Sequence, residues 1–365
     1  MSVSAARLPQ RAVFCALFLA AAFLTASAAA AQTSRPADTE AAPPSAIEPR
    51  DVLINAFVPG YAQIKMGRVR EGSLYLASLP LQIAGTVLQT LYLADVFADE
   101  ALERFWTDAD GRWYVYYSPG LAARPGKWQF YAGTILSLYG ALLASHSQYD
   151  LLWRLGLLSP EGSAPGGAGA AASRPSANGE AGPISLGQAM AAPWLPGNLF
   201  NRDILPVFGL SLLPDLSRIS GSDLAAYFER DRVPFLGRDV SPLAGLVLAA
   251  GSGVAIAQAN AVWEEIVYRG ITLQSNGVVG SSLRFGLVHI PNALVPNTSI
   301  QETLWQSVFA TMFGLYAGSV TERDGGDFRK AIAWHFWNNV VAFTLGYLTS
   351  PDEQMLFSVG VDLRW

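Results

Sequence analysis

Three short patterns set ionisable and amide side chains at helical spacing inside apolar stretches of this chain: Glu264-Glu265-x-x-x-Arg269, Phe285-x-x-x-His289 and His335-x-x-x-Asn339. An interval of four residues puts both outer residues on one helix face, one turn apart. Glu265 and Arg269 can therefore pair across a turn. Glu264 lies about 100° further round by helical geometry, so it points elsewhere and is free for another task. The chemistry that such groups support is hydrolysis. A carboxylate takes the proton of a water, and imidazole and carboxamide groups donate hydrogen bonds to a tetrahedral oxyanion without adding buried charge.

Each pattern alone has a plainer reading: an ion pair on a solvated helix, a structural histidine, or an interhelical hydrogen bond from Asn338-Asn339. Taken together they are harder to dismiss. The chain has 3 histidines, and two of them fall in these patterns. Glu264 and Glu265 also follow directly on a long uncharged run. An ionisable group at the centre of a bilayer costs roughly 2.5–3.5 kcal/mol, and two carboxylates with an arginine on the order of 7–10 kcal/mol if unpaired, so residues of this kind mark a functional site.

The elements that must hold these residues are membrane helices. Of the 365 residues, 51% are hydrophobic and 15% charged, against about 25% charged in soluble domains. Mean hydropathy is +0.26. A net charge of −5 gives no footprint for nucleic acid. A span needs about 20 mostly apolar residues, and Gly72 to Ala94, Trp128 to Tyr149, Ser241 to Trp263, Val278 to Leu294, Thr303 to Thr321 and Ala331 to Ser350 suit one each. Ile204 to Leu213 is shorter and broken by Pro206 and Pro214, which suits a re-entrant or interfacial helix. The expectation is an all-α, polytopic transmembrane helical bundle.

The ends and linkers complete the plan. Residues 1–31 read as a signal peptide: Arg7 and Arg11, then an apolar core from Val13 to Leu24, then small residues from Ala26 to Ala31. The single cysteine, Cys15, lies in that core, so a cleaved chain would carry no thiol for disulfide, zinc–thiolate or nucleophilic chemistry. Residues 32–50 read as a disordered linker, 51–157 as an accessory two-helix membrane module, 158–183 as a Gly/Ala/Pro linker, 184–350 as a C-terminal membrane core and 351–365 as a tail. Between the first two spans, Asp95 to Lys127 is a polar and aromatic connection.

The three motifs, in this order and each on an apolar segment, resemble the CPBP family of intramembrane proteases, which contains the type II CAAX prenyl endopeptidases and bacteriocin-processing or immunity proteins. The resemblance covers roughly Ser241 to Ser350. It implies a helical bundle around an internal polar cavity, with no metal or other cofactor required. It implies Glu264 as the base that activates water, His289 as a second holder of that water, and His335 with Asn339 as the oxyanion hole. Glu265 and Arg269 would support them from behind. The expected function is an intramembrane endopeptidase of a bacterial inner membrane. Its partners would be the lipid bilayer and a peptide or membrane-protein substrate, lipidated ones included. Two other readings stay open: a non-catalytic membrane scaffold or immunity protein with the same fold, and a metal-dependent membrane hydrolase, for which the chain lacks a His-Glu-x-x-His pattern.

Overall fold

We describe the fold from a computed structural model, which covers residues 47–99, 101–118, 127–158, 183–217, 220–236, 238–349 and 351. The expected signal peptide, nearly all of both linkers and the tail beyond residue 351 lie outside the described residues. Helices dominate: α1 Pro49–Phe57, α2 Tyr61–Lys65, α3 Val69–Leu76, α4 Ser78–Phe97, α5 Lys127–Arg154, α6 Leu186–Ala191, α7 Pro196–Leu199, α8 Leu205–Ser217, α9 Gly221–Phe228, α10 Pro242–Glu265, α11 Leu273–Leu287, α12 Ile300–Arg323 and α13 Arg329–Thr349. A π-helical stretch, Ile266–Thr272, joins α10 to α11, and a 3-10 turn, Ile290–Leu294, follows α11. Two antiparallel hairpins complete the set, β1 Glu103–Thr107 with β2 Trp113–Tyr117, and β3 Val233–Phe235 with β4 Arg238–Val240. Two helical stretches, Val69–Phe97 and Pro242–Leu294, are long and apolar enough to cross a membrane. Helices α5, α12 and α13, with 28, 24 and 21 residues, match the roughly 30 Å reached by 20 residues.

Local sequence accounts for the boundaries. Ser241 caps α10 by accepting from the Ala244 amide, with Pro242 at the first helical position. Ser299 and Glu302 form a reciprocal capping box at the start of α12. Small residues set the close approach of α11 and α12. A Cβ on Gly286 would lie 2.6 Å from Ser307 O, and one on Gly314 3.0 Å from Ser282 Cα.

The module expected as accessory packs directly on the core. Tyr139, Leu142 and Tyr149 of α5 share one apolar cluster with Ala259, Val262, Ile266 and Phe328. The segment from Ile184 to Asp203 dips into the bundle and returns. Ile184 is held by Tyr149 and His146, the Pro193 carbonyl accepts from Trp337 Nε1, and Asp203 comes back to Arg323 and Lys330. The apolar run after it does not stop at Leu213. Helix α8 reaches Ser217, and α9 ends with Tyr227 against Pro242 and Tyr347 at the opposite end of the bundle.

The second departure from the sequence reading concerns Val278 to Leu294. Helix α11 runs from Leu273 to Leu287 in two pieces that meet at Gly277; the second begins at Val278, as expected, and ends at Leu287, short of Leu294. Pro291 has no amide to continue the ladder, so the chain turns at Val288 and His289. Inside α11 the backbone reverses at Gly277, where φ is 64° and ψ 179°, a conformation essentially reserved for glycine. Arg269 and Phe285 each stand eight residues from Gly277, on opposite sides. The reversal brings them back to one level, with the Arg269 guanidinium carbon 4.5 Å from the Phe285 ring centre.

Two outcomes follow. No atom lies within 4 Å of a Cβ at Gly277, so Gly277→Ala strains only the backbone and should cost about 1–3 kcal/mol, read as a lowered Tm in detergent. Asp203 sits against Lys330 Nζ at 3.0 Å and Arg323 Nη2 at 2.8 Å, and the hydrogen bond from Lys330 holds its carboxyl below the ordinary carboxylate range. A lowered folded value stabilises at neutral pH and is lost as pH falls through it. Asp203→Asn should therefore cost about 1 kcal/mol or less near pH 7, and the gap to wild type should close below about pH 4.

Candidate functional site

The site grows from the end of α10. Its last two residues, Glu264 and Glu265, point into the bundle, and both are buried. The helix then widens into the π-helical turn that carries Arg269 and Gly270. Such bulges recur at functional sites because the extra residue re-aims the side chains around it. Gly270 lets a neighbour close in: a Cβ there would stand 3.1 Å from Tyr149 Cδ2 and 3.3 Å from Phe328 Cε1.

Arg269 has no solvent exposure at all. Its Nε lies 3.1 Å from Glu265 Oε2, and its guanidinium faces the rings of Phe285 and Phe313, with centroids 4.5 and 5.3 Å away. Desolvated cation–π contacts contribute about 2 kcal/mol each. Glu265 spends its other oxygen on the opposite helix: His335 Nδ1 donates to Glu265 Oε1 at 2.9 Å. That contact fixes the ring. With Nδ1 carrying a proton, the neutral imidazole presents a bare Nε2, and this atom stands 3.5 Å from Glu264 Oε2. No hydrogen bond joins these two atoms, so Glu264 Oε2 faces the ring without a donor of its own.

Asn339 follows His335 by one turn of α13 and is buried, and its amide makes no hydrogen bond among the described residues. His289 is placed differently. It stands two residues beyond the end of α11, half-buried, with Nδ1 donating to Phe285 O at 2.7 Å. A carbonyl only accepts, so the neutral His289 ring keeps a free lone pair on Nε2. Its ring meets the Phe285 ring edge-on with centroids 5.0 Å apart, and the His335 ring lies 5.9 Å from Phe285 on a further side.

The structure therefore brings Glu264, Glu265, Arg269 and His335 into direct contact and gathers His289 around Phe285 beside them. No hydrogen bond links His289 or Asn339 to Glu264. Two contributors escaped the sequence reading. Phe313 forms the second wall for Arg269 and stands 5.2 Å from the His335 ring, yet one phenylalanine in an apolar helix carries no signal. Gln258, a buried amide two turns before Glu264, accepts from Trp194 Nε1 and donates to Met190 O, pinning the re-entrant segment to α10. An amide inside an uncharged span was its available cue. Among the described residues no three His, Cys, Asp or Glu side chains form a group able to hold a metal ion.

Residues 246–341 match the family model described as type II CAAX prenyl endopeptidase Rce1-like. No curated protein and no solved structure matches the chain. The matched stretch runs from the first turns of α10 to just past Asn339, so it contains all three motifs. Over residues 246–341 the chain is thus similar to the Rce1-like type II CAAX prenyl endopeptidases, a protease family.

Proposed function

We propose that this protein is a metal-independent intramembrane endopeptidase in which Glu264 activates the hydrolytic water. The observation that carries the reading is the buried series Arg269–Glu265–His335–Glu264. It ends on a carboxylate oxygen, Glu264 Oε2, that has no hydrogen-bond partner among the described residues. Buried acceptors without a partner are rare and costly, and a reacting water supplies the missing donor.

The steps follow from the atoms present. Glu264 takes one proton of the water as its oxygen attacks the scissile carbonyl carbon. His289 Nε2, left as an acceptor by the bond from Nδ1 to Phe285 O, receives the other O–H and aims the oxygen. The carbonyl oxygen becomes an oxyanion and accepts from the Asn339 amide and from His335 Nε2–H. With Nδ1–H already given to Glu265, that donor requires a ring protonated on both nitrogens, and the two flanking carboxylates offset its charge. The C–N bond then breaks as the proton held by Glu264 passes to the departing nitrogen. One oxyanion donor is worth about 2.7–4 kcal/mol of transition-state stabilisation.

The substrate is a peptide presented from the bilayer. The family description names prenylated CAAX peptides, and apolar walls around the acid accept lipidated or transmembrane segments alike. A bacterial inner membrane is the proposed location.

Purified protein in micelles or proteoliposomes, given a fluorogenic peptide with and without a prenyl group, tests the assignment. Glu264→Gln should lower turnover by about 10²–10⁴-fold with Tm nearly unchanged. Unchanged turnover would leave the scaffold reading, and stoichiometric metal with activity abolished by a chelator would replace Glu264 with a metal centre. Glu265→Gln should behave differently, because it strands a buried guanidinium: a loss of about 3–5 kcal/mol in stability accompanies the loss of activity. Adding Arg269→Met to that variant should restore much of the stability and none of the turnover.

A further inference from the structure

We propose that the hairpin β1–β2 of the N-terminal module is a clamp that positions His289, so that the module outside the matched domain is a working part of the site. The inference rests on the peptidase reading for its catalytic consequence. Glu264, His335 and Asn339 stand on helices, whose ladders fix their direction. His289 does not. It is the second residue of the twelve-residue connection, from 288 to 299, between α11 and α12, and a connection of that kind opens more easily than the helices it joins.

What restrains it is the hairpin. Asn297 has a left-handed backbone, φ 64°, and acts as a wedge against β2. Its amide donates to Tyr116 O at 2.9 Å. Its side-chain oxygen accepts from Ser118 N at 2.7 Å, and its Nδ2 donates to Ser118 O at 3.1 Å. Ser299 bridges to Tyr114 as a short third strand. Gln301 accepts from Trp113 N and donates to Gly111 O. The restraint reaches the histidine through a run of bonds: Thr298 N to Val295 O, Val295 N to Asn292 O and Asn292 N to His289 O. Asn292 Nδ2 also donates to Gln306 of α12 at 2.9 Å. Thus the hairpin, entering from a segment 179 residues earlier in the chain at the Ser118–Asn297 bond, completes a fixed frame for one imidazole. Asn297 and Gln301 are positioning residues, acting through that frame.

The test uses the full chain in micelles with Asn297→Gly, which keeps the left-handed backbone and deletes the side-chain bonds, and with Gln301→Ala at a partly exposed position. Turnover is measured together with carbethoxylation of each histidine by diethyl pyrocarbonate, resolved by peptide mass spectrometry. The expected result is a kcat lowered about ten-fold, since sub-ångström misplacement suffices, with KM held within about two-fold. His289 should be modified several times faster, while the buried His146 and His335 keep their wild-type rates. Asn297→Asp, which retains the acceptor for Ser118 N, should recover part of the lost kcat. Wild-type kcat and wild-type His289 reactivity in both variants would overturn the clamp, as would a uniform rise at all three histidines, which signals general loosening. If the wild-type protein hydrolyses nothing, the peptidase reading falls, and the His289 modification rate still decides whether the hairpin holds the loop.

Discussion

A guanidinium sealed from solvent must be answered by a carboxylate, and in this protein Glu265 answers Arg269. Most of the core follows from that requirement. The charge of Glu265 is shared between Arg269 on its own helix and His335 on α13, so two helices are tied at one depth. Phe285 and Phe313 close over the guanidinium from α11 and α12, so two more join them. One carboxylate thereby organises four helices, and its neighbour Glu264 is left without a structural partner beyond the edge of the His335 ring. The difference between the adjacent glutamates is geometric: a turn of about 100° separates them, one toward the framework and one, on the function proposed above, toward the reaction.

The rest of the fold supplies what this arrangement cannot supply for itself. Water must be kept from the cluster, and the apolar clusters around Tyr149, Ile266, Phe313 and Trp334 do so. Helices must come close, and glycines at 286 and 314 permit it. The chain must double back to bring Phe285 under Arg269, and Gly277 turns it. The re-entrant segment is fastened by Gln258 and Trp337 rather than by helix packing alone. The Gln258 amide and the Trp337 indole N–H would cost free energy if left unpaired, and each has its partner.

Much of this was legible beforehand. The pairing of Glu265 with Arg269 follows from their spacing and from the cost of burying either alone. The start of α10 at its Ser-Pro cap and the helical class of the chain follow from cap chemistry and apolar run length. What escaped is what depends on distant contacts. The connection from Asp95 to Lys127 reads as an irregular polar stretch, yet it forms a hairpin, with a turn at Gly111, φ 76°, and pairing of Trp106 with Tyr114. Tyr131 and Tyr149, near the two ends of the expected span from Trp128 to Tyr149, are both buried between helices, which their places in the sequence do not announce. The end of α11 at Leu287 turns on Pro291, whose missing amide is masked in the sequence by an apolar run that continues to Leu294. No periodicity announces a π-helical turn, because one extra residue leaves the apolar pattern on either side intact.

That wide turn, Ile266–Thr272, has a consequence for how the chain tolerates change in length. A π-helical stretch amounts to an α-helix holding one surplus residue. Deleting any residue between 266 and 272 would let the backbone relax into an ordinary helix. The helices on either side would keep their phase, because the wide turn had already absorbed the surplus residue. What would change is the aim of the side chains inside the turn, Arg269 among them, relative to Glu265. A shortened turn would thus keep the frame and lose the angle of its guanidinium.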